Sequence, residues 1–190
     1  MPIPVALIPD RDVPPDGAKK LVGDRRTEGD YTAPEIQAHI EKLVADEGGC
    51  VRAFPSEQWT LEFDLARQPE LALIVHQAVS LARGAANKTE AQIKAQAAAD
   101  IESWRVGAAK SADEVATEIY TPLIKRTVSK AQVAEQLAKL IEHLPDDPAV
   151  FRTKVPKYLA DAIDHATSAF PTNAADPRSL TDASPRGATA

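Results

Sequence analysis

The chain has 190 residues, enough for one sizeable domain or two small ones. Its 28 acidic residues against 22 basic ones give a net charge of −6, which excludes nucleic-acid binding by bulk charge. Any such contact has to come from a local basic patch and a bound metal. Hydrophobic content is an ordinary 44% but aromatics reach only 5%, so the core must rest on Leu, Ile, Val and Ala. The single cysteine, Cys50, excludes an internal disulfide, and no apolar run approaches the ~20 residues that span a bilayer. With no secretory leader pattern, the expected compartment is the reducing cytoplasm.

In chain order, residues 3–9 are an apolar run that reads as a buried strand. Residues 10–31, rich in Asp, Gly, Pro and Arg, read as a long loop with a turn at Val13–Pro14–Pro15–Asp16–Gly17. Thr32–Ala33–Pro34–Glu35 is a capping box, and Ile36, Ile40, Leu43 and Val44 share one helical face before Gly48–Gly49. Residues 50–54 read as a second strand, so 3–54 form a strand–loop–helix–strand unit that favours a parallel pair.

From Thr60 onward the pattern is helical. Leu71, Ile74, Val75, Ala78 and Leu81 mark one helix ending near Gly84, and the alanine-rich stretch 89–106 marks another. Ser111–Ala112–Asp113–Glu114 caps a third, with Val115 and Ile119 inward and Pro122 kinking or ending it. Ser129–Lys130–Ala131–Gln132 opens a fourth, with Val133, Leu137, Leu140, Ile141 and Leu144 inward. A last helix follows Pro156 with Leu159, Ala162, Ile163 and Ala166 inward; residues 169–190 read as a disordered tail.

An apolar strand that delivers Asp10–Arg11–Asp12 into a loop is a common way to hold a divalent metal, because the strand fixes the backbone beneath the carboxylates. The competing reading is that acids after a strand cap a loop or the next helix. Glu62 in the first turn of a helix is favoured by the macrodipole in any case. Asp16 reads either as an outer ligand or as a turn residue, and Asp64 as helix surface.

Taken together, Asp10–Arg11–Asp12, Phe54 and Thr60–Leu61–Glu62–Phe63–Asp64–Leu65–Ala66 resemble the carboxy-terminal nuclease region of the overcoming-lysogenisation-defect (OLD) family. There a TOPRIM domain carries an apolar strand with D-x-D and a later T-L-E-x-D-L-A segment before a helical domain. The resemblance covers residues 3–165. It implies a partial α/β TOPRIM domain (Rossmann-like, parallel strands) over residues 1–67 and an all-α helical domain over 68–168. It also implies two-metal hydrolysis of DNA in phage defence, with Asp10, Asp12 and Glu62 as ligands for Mg²⁺ or Mn²⁺. The family's helix beginning with lysine matches Ser129–Lys130–Ala131–Gln132–Val133–Ala134, so Lys130 is expected to steady the scissile phosphate.

The family's ATPase and the first half of its TOPRIM domain, with a glutamate, lie upstream of the region that matches. No Gly-x-x-x-x-Gly-Lys-Ser/Thr loop occurs in this chain, so an ATPase partner is expected upstream or in trans. The chain reads as amino-terminally truncated, with weak metal binding and little cutting alone. The alternative is a non-catalytic helical module that binds a partner or another copy of itself. Arg11, Lys19, Lys20, Arg25 and Arg26 are candidates to line a substrate groove, and residues 151–158 to touch a DNA backbone. His39, His76, His143 and His165 lack metal-ligand spacing; Trp59 and Trp104 read as core.

Overall fold

The computed structural model describes residues 3–84, 87–144 and 147–168. The two apolar runs form shorter strands than their composition suggests: β1 is Val5–Leu7 and β2 is Val51–Ala53. They pair in parallel, with Val5 opposite Val51, Ala6 opposite Arg52 and Leu7 opposite Ala53. The pairing ends at Pro9, whose ring fixes φ and has no N–H for a ladder; its carbonyl instead accepts from Ser56 N at 3.0 Å.

The crossover between the strands holds more structure than a loop. A 3₁₀ turn at Asp16–Ala18 leads into the one-turn helix α1 (Lys19–Val22), a second 3₁₀ turn covers Glu28–Asp30, and α2 is Ala33–Leu43. Asp16 Oδ1 accepts the Gly29 N–H at 2.8 Å, which together with Thr27 holds the Asp16 carboxyl below the usual range. A Cβ on Gly29 would lie 2.8 Å from that carboxylate, so a larger residue there would displace the Asp16 side chain from this bond. Asp16 is thus a turn-holding residue. The Thr32–Glu35 capping box is present in full.

The rest is helical: α3 (Leu61–Arg67), α4 (Ala72–Arg83), α5 (Glu90–Glu102), α6 (Ala112–Ile124), α7 (Lys130–Glu142), α8 (Pro148–Lys154) and α9 (Lys157–Thr167). Capping boxes open α5, α6 and α7 at Thr89, Ser111 and Ser129. Helix α4 is apolar over most of its circumference, burying Ala72, Ile74, Val75, Ala78 and Val79, and it packs against α3, α5, α6 and α7. Val79 of this helix and Phe63, Ile119 and Val115 around it are fully buried, each contributing about 1.5–3 kcal/mol through lost apolar exposure.

The last helix returns to the beginning of the chain. α9 lies against β1 and β2, His165 Nε2 stands 3.0 Å from the Cys50 carbonyl, and the His165 ring meets Phe54. Ala162 is buried as the periodicity predicts, but Tyr158 is buried as well, whereas Ile163 and Ala166 are exposed. In α7 Val133 is buried but Ile141 is exposed. Pro122 does not end α6, which continues to Ile124. The sequence-expected tail, 169–190, lies outside the described residues. No helix among the described residues is long and apolar enough to cross a membrane.

Candidate active site

The loops that follow β1 and β2 are laced together by backbone amides of both. Phe54 N–H donates to the Leu7 carbonyl at 2.7 Å, Arg11 N–H to Ser56 Oγ at 2.7 Å, and Asp12 N–H to the Trp59 carbonyl at 2.9 Å. This lacing carries Asp10 to the start of α3. Thr60, the N-cap of α3, accepts the Phe63 N–H, while Asp10 Oδ1 accepts the Leu61 N–H at 3.1 Å. Asp10 therefore satisfies one of the amides that a helix start leaves free.

The other Asp10 oxygen faces a cation. Oδ2 lies 2.9 Å from Lys130 Nζ, and Glu62 Oε2 lies 2.9 Å from the same nitrogen. Lys130 is the first residue of α7, after the Ser129 cap. Burial works against the Lys130 ammonium, but Glu62 and Asp10 outweigh it and hold its pKa above the ordinary lysine value. It is a cation throughout the physiological range. Glu62 Oε2 is shielded from solvent and has no hydrogen bond; its contact with Lys130 is an ion pair without hydrogen-bond geometry.

Three of the four sequence candidates thus meet. Asp12 stands apart: its backbone is left-handed at φ 60°, its side chain is two-thirds exposed, and its Oδ1 is 3.3 Å from Arg25 Nη2. Among the described residues, no group of three or more His, Cys, Asp and Glu side chains is arranged to hold a metal ion. Two carboxylates do converge, and the point between them already carries a positive charge. Magnesium is commonly held by one or two carboxylates, with water and substrate phosphate filling the rest of its shell. Glu62 Oε2, held only by its ion pair with Lys130, is an acceptor that such an ion would have to take from the ammonium. The residues present fit one ion on Asp10 and Glu62, and Asp12 joins only by leaving Arg25.

A cleft of about 350 Å³ opens onto the Asp10 and Lys130 side of this cluster, lined also by Asp12, Arg25, Thr60 and Tyr120; Glu62 lies behind it. Its floor is aromatic. Trp59 and Tyr120 meet edge to face with centroids 4.9 Å apart, and Phe63 lies beneath both. Burial pushes the Tyr120 phenol upward, with Thr60 and the Lys130 charge acting in the opposite direction. Tyr120 went unnoticed in the sequence because a tyrosine on an apolar helix face reads as core, which it also is.

Other expectations sort out by their partners. Arg11 is buried, donating to the Glu57 carbonyl and pairing with Glu28, so it holds loops rather than lining a groove. Lys19 pairs with Asp30, and Arg26 pairs with Glu35 while stacking over Tyr31. In the 151–158 segment Tyr158 is buried, and Arg152 pairs with Asp164. Asp64 is not helix surface: it is buried and accepts the Glu57 and Gln58 N–H groups, and burial raises its pKa. Its role is to anchor the 54–60 loop. Trp59 is core, and His76 is a packing histidine against Trp104.

Comparison with family models, curated proteins and solved structures gives no match for this chain.

Proposed function

We propose that the chain is the nuclease region of an OLD-type endonuclease: a partial TOPRIM unit followed by helices, acting on DNA phosphodiester bonds. The observation that carries this reading is the meeting of Asp10, Glu62 and Lys130. They come from three separate segments, and the first and last are 120 residues apart in the chain. Surface ion pairs arise readily, but one whose carboxylate oxygen is shielded from solvent, as Glu62 Oε2 is beside Lys130, is not a typical one.

In this reading Asp10 and Glu62 would hold a magnesium-type ion. Such an ion supplies Lewis acidity to the phosphate and an acidified water as nucleophile. Asp10 is kept in place by the Leu61 N–H, so its ligating oxygen is oriented in advance. Lys130, released from the carboxylates, places its ammonium on the phosphate oxygens where charge grows. The side chains in place suit one ion, and the second ion of the two-ion scheme needs Asp12 or groups from another polypeptide. The partner supplying an ATPase, and the cytoplasm as compartment, belong to the same proposal.

The test is conversion of supercoiled plasmid with Mg²⁺ or Mn²⁺ by the wild type and by an Asp10→Asn/Glu62→Gln double variant. Metal-dependent nicking that disappears in the variant supports the reading. Metal binding by calorimetry that is unchanged in the variant would overturn it. Binding lost in the variant, with no nicking by either protein, would leave a metal-holding module that does not cut alone.

A further inference from the structure

We infer that Arg126 grips a backbone phosphate of the nucleic-acid strand next to the carboxylate site, so that the strand runs on past Lys130 along α6 and α7; this rests on the nuclease reading above. A second cleft, of about 470 Å³, shares Tyr120 and Lys130 as a common wall with the first. Both volumes fall in the range of ordinary ligand sites, about 300–1,000 Å³. The two therefore adjoin at Lys130, with Asp10 and Asp12 lining the first. The second cleft is lined by Arg126 and Lys130 together with Thr127, Ser129 and Gln132, and no Asp or Glu lines it. In a chain where acids outnumber bases, a cleft lined by the unpaired Arg126, the carboxylate-paired Lys130, three hydroxyl side chains and no acid suits an anion.

Arg11, Arg25, Arg26, Arg67 and Arg152 each have a carboxylate partner, whereas Arg126, like Arg52 and Arg83, is exposed and has none among the described residues; of these three, Arg126 lines the cleft beside Lys130. Its backbone is left-handed, at φ 53°. The position is the one just past the end of α6, where Arg126 N–H returns to the Leu123 carbonyl and Thr127 N–H to that of Pro122, both at 3.0 Å. Glycine is the residue such a helix end prefers, because a Cβ is disfavoured there. An arginine in that place makes the fold harder to form and gives it no ion pair. What it does provide is a free guanidinium in the cleft, with a fork of donors that matches phosphate oxygens.

This conflict between fold and side chain defines the experiment. Arg126→Gly removes the guanidinium while relieving the backbone, so a purely structural residue and a phosphate-holding one predict opposite results. Binding of a fluorescein-labelled DNA duplex and of its single strand is followed by anisotropy in EDTA, over a salt series, so that cleavage takes no part. The expected result is an unchanged or raised melting temperature with an affinity several-fold weaker. The slope of log affinity against log salt should be shallower by about 0.9 on duplex or about 0.7 on single strand, the value of one lost phosphate contact. Lys125→Ala, an equal charge change outside the lining, should leave the slope at its wild-type value. Affinity and slope unchanged in Arg126→Gly would overturn the inference while the nuclease reading stands. Absence of DNA binding by the wild type would overturn it too, and metal calorimetry on the Asp10/Glu62 pair would then decide separately whether the carboxylate site survives.

Discussion

Lys130 Nζ stands 2.9 Å from Asp10 Oδ2 and 2.9 Å from Glu62 Oε2, so its ammonium fills the space between the two carboxylates. On the proposed nuclease reading, a metal ion would compete with it for that place. Lys130→Gln removes the internal competitor and should raise Mg²⁺ or Mn²⁺ affinity in calorimetry, while lowering any plasmid nicking. The pair is half-exposed and worth about 1 kcal/mol, so the gain should be roughly fivefold. A loss of metal affinity in this variant would mean that Lys130 supports the ions instead of opposing them.

The two acids of the D-x-D run should not respond alike. Asp10→Asn keeps an oxygen for the Leu61 N–H, so the start of α3 stays capped while the charge facing the ion is lost. Metal affinity should fall about tenfold or more, an effect of ~1.4 kcal/mol, with little change in melting temperature. Asp12→Asn, starting from an exposed carboxylate paired with Arg25, should cost less than about threefold. Equal losses in the two variants would place Asp12 in the site on equal terms.

His76 gives the helical part a sensitivity to acid. Burial lowers its pKa, and the nearby Asp100 carboxylate, 3.2 Å from Nε2, only partly opposes this. A group whose folded pKa is depressed contributes stability that is present above its unfolded value of about 6.5 and is lost as pH falls through the folded one. The melting temperature should therefore decline as pH drops below about 6.5, and His76→Gln should flatten that part of the profile. A profile identical in wild type and variant would assign the acid sensitivity elsewhere.

Phe63 joins the site to the core. It is fully buried against Trp59 and Tyr120, whose rings floor the cleft. Phe63→Ala should destabilise the chain by about 3–5 kcal/mol in urea unfolding, the range for emptying a large aromatic site. A loss below about 1 kcal/mol would show that the neighbouring rings collapse into the space.

Much of the local architecture was legible because it depends on near neighbours. The capping boxes at Thr32, Ser111 and Ser129, the parallel strand pair and the apolar stripe of α4 follow from spacing alone. The candidate acids and Lys130 were legible as types, by resemblance. Their meeting was not, since Lys130 reaches Asp10 only through the packing of α7 on α4 and of α6 on α3. Asp64 was misread for a similar reason: a charged residue on a helix reads as solvated, and the amides of Glu57 and Gln58 that satisfy it come from a preceding loop whose shape no periodicity reports. The exposure of Ile163 has the same origin, because α9 is oriented by its contact with a sheet far earlier in the chain.

Asp10 is bonded through one oxygen to the first amide of α3 and through the other to the first side chain of α7. One carboxylate thus staples two helix starts. An ion that claims Oδ2 leaves the α3 half of the staple closed and opens the α7 half. Metal loading would then be felt as a loosening at residues 129–132, making the opening of α7 a tether whose release is set by the occupancy of the site beside it.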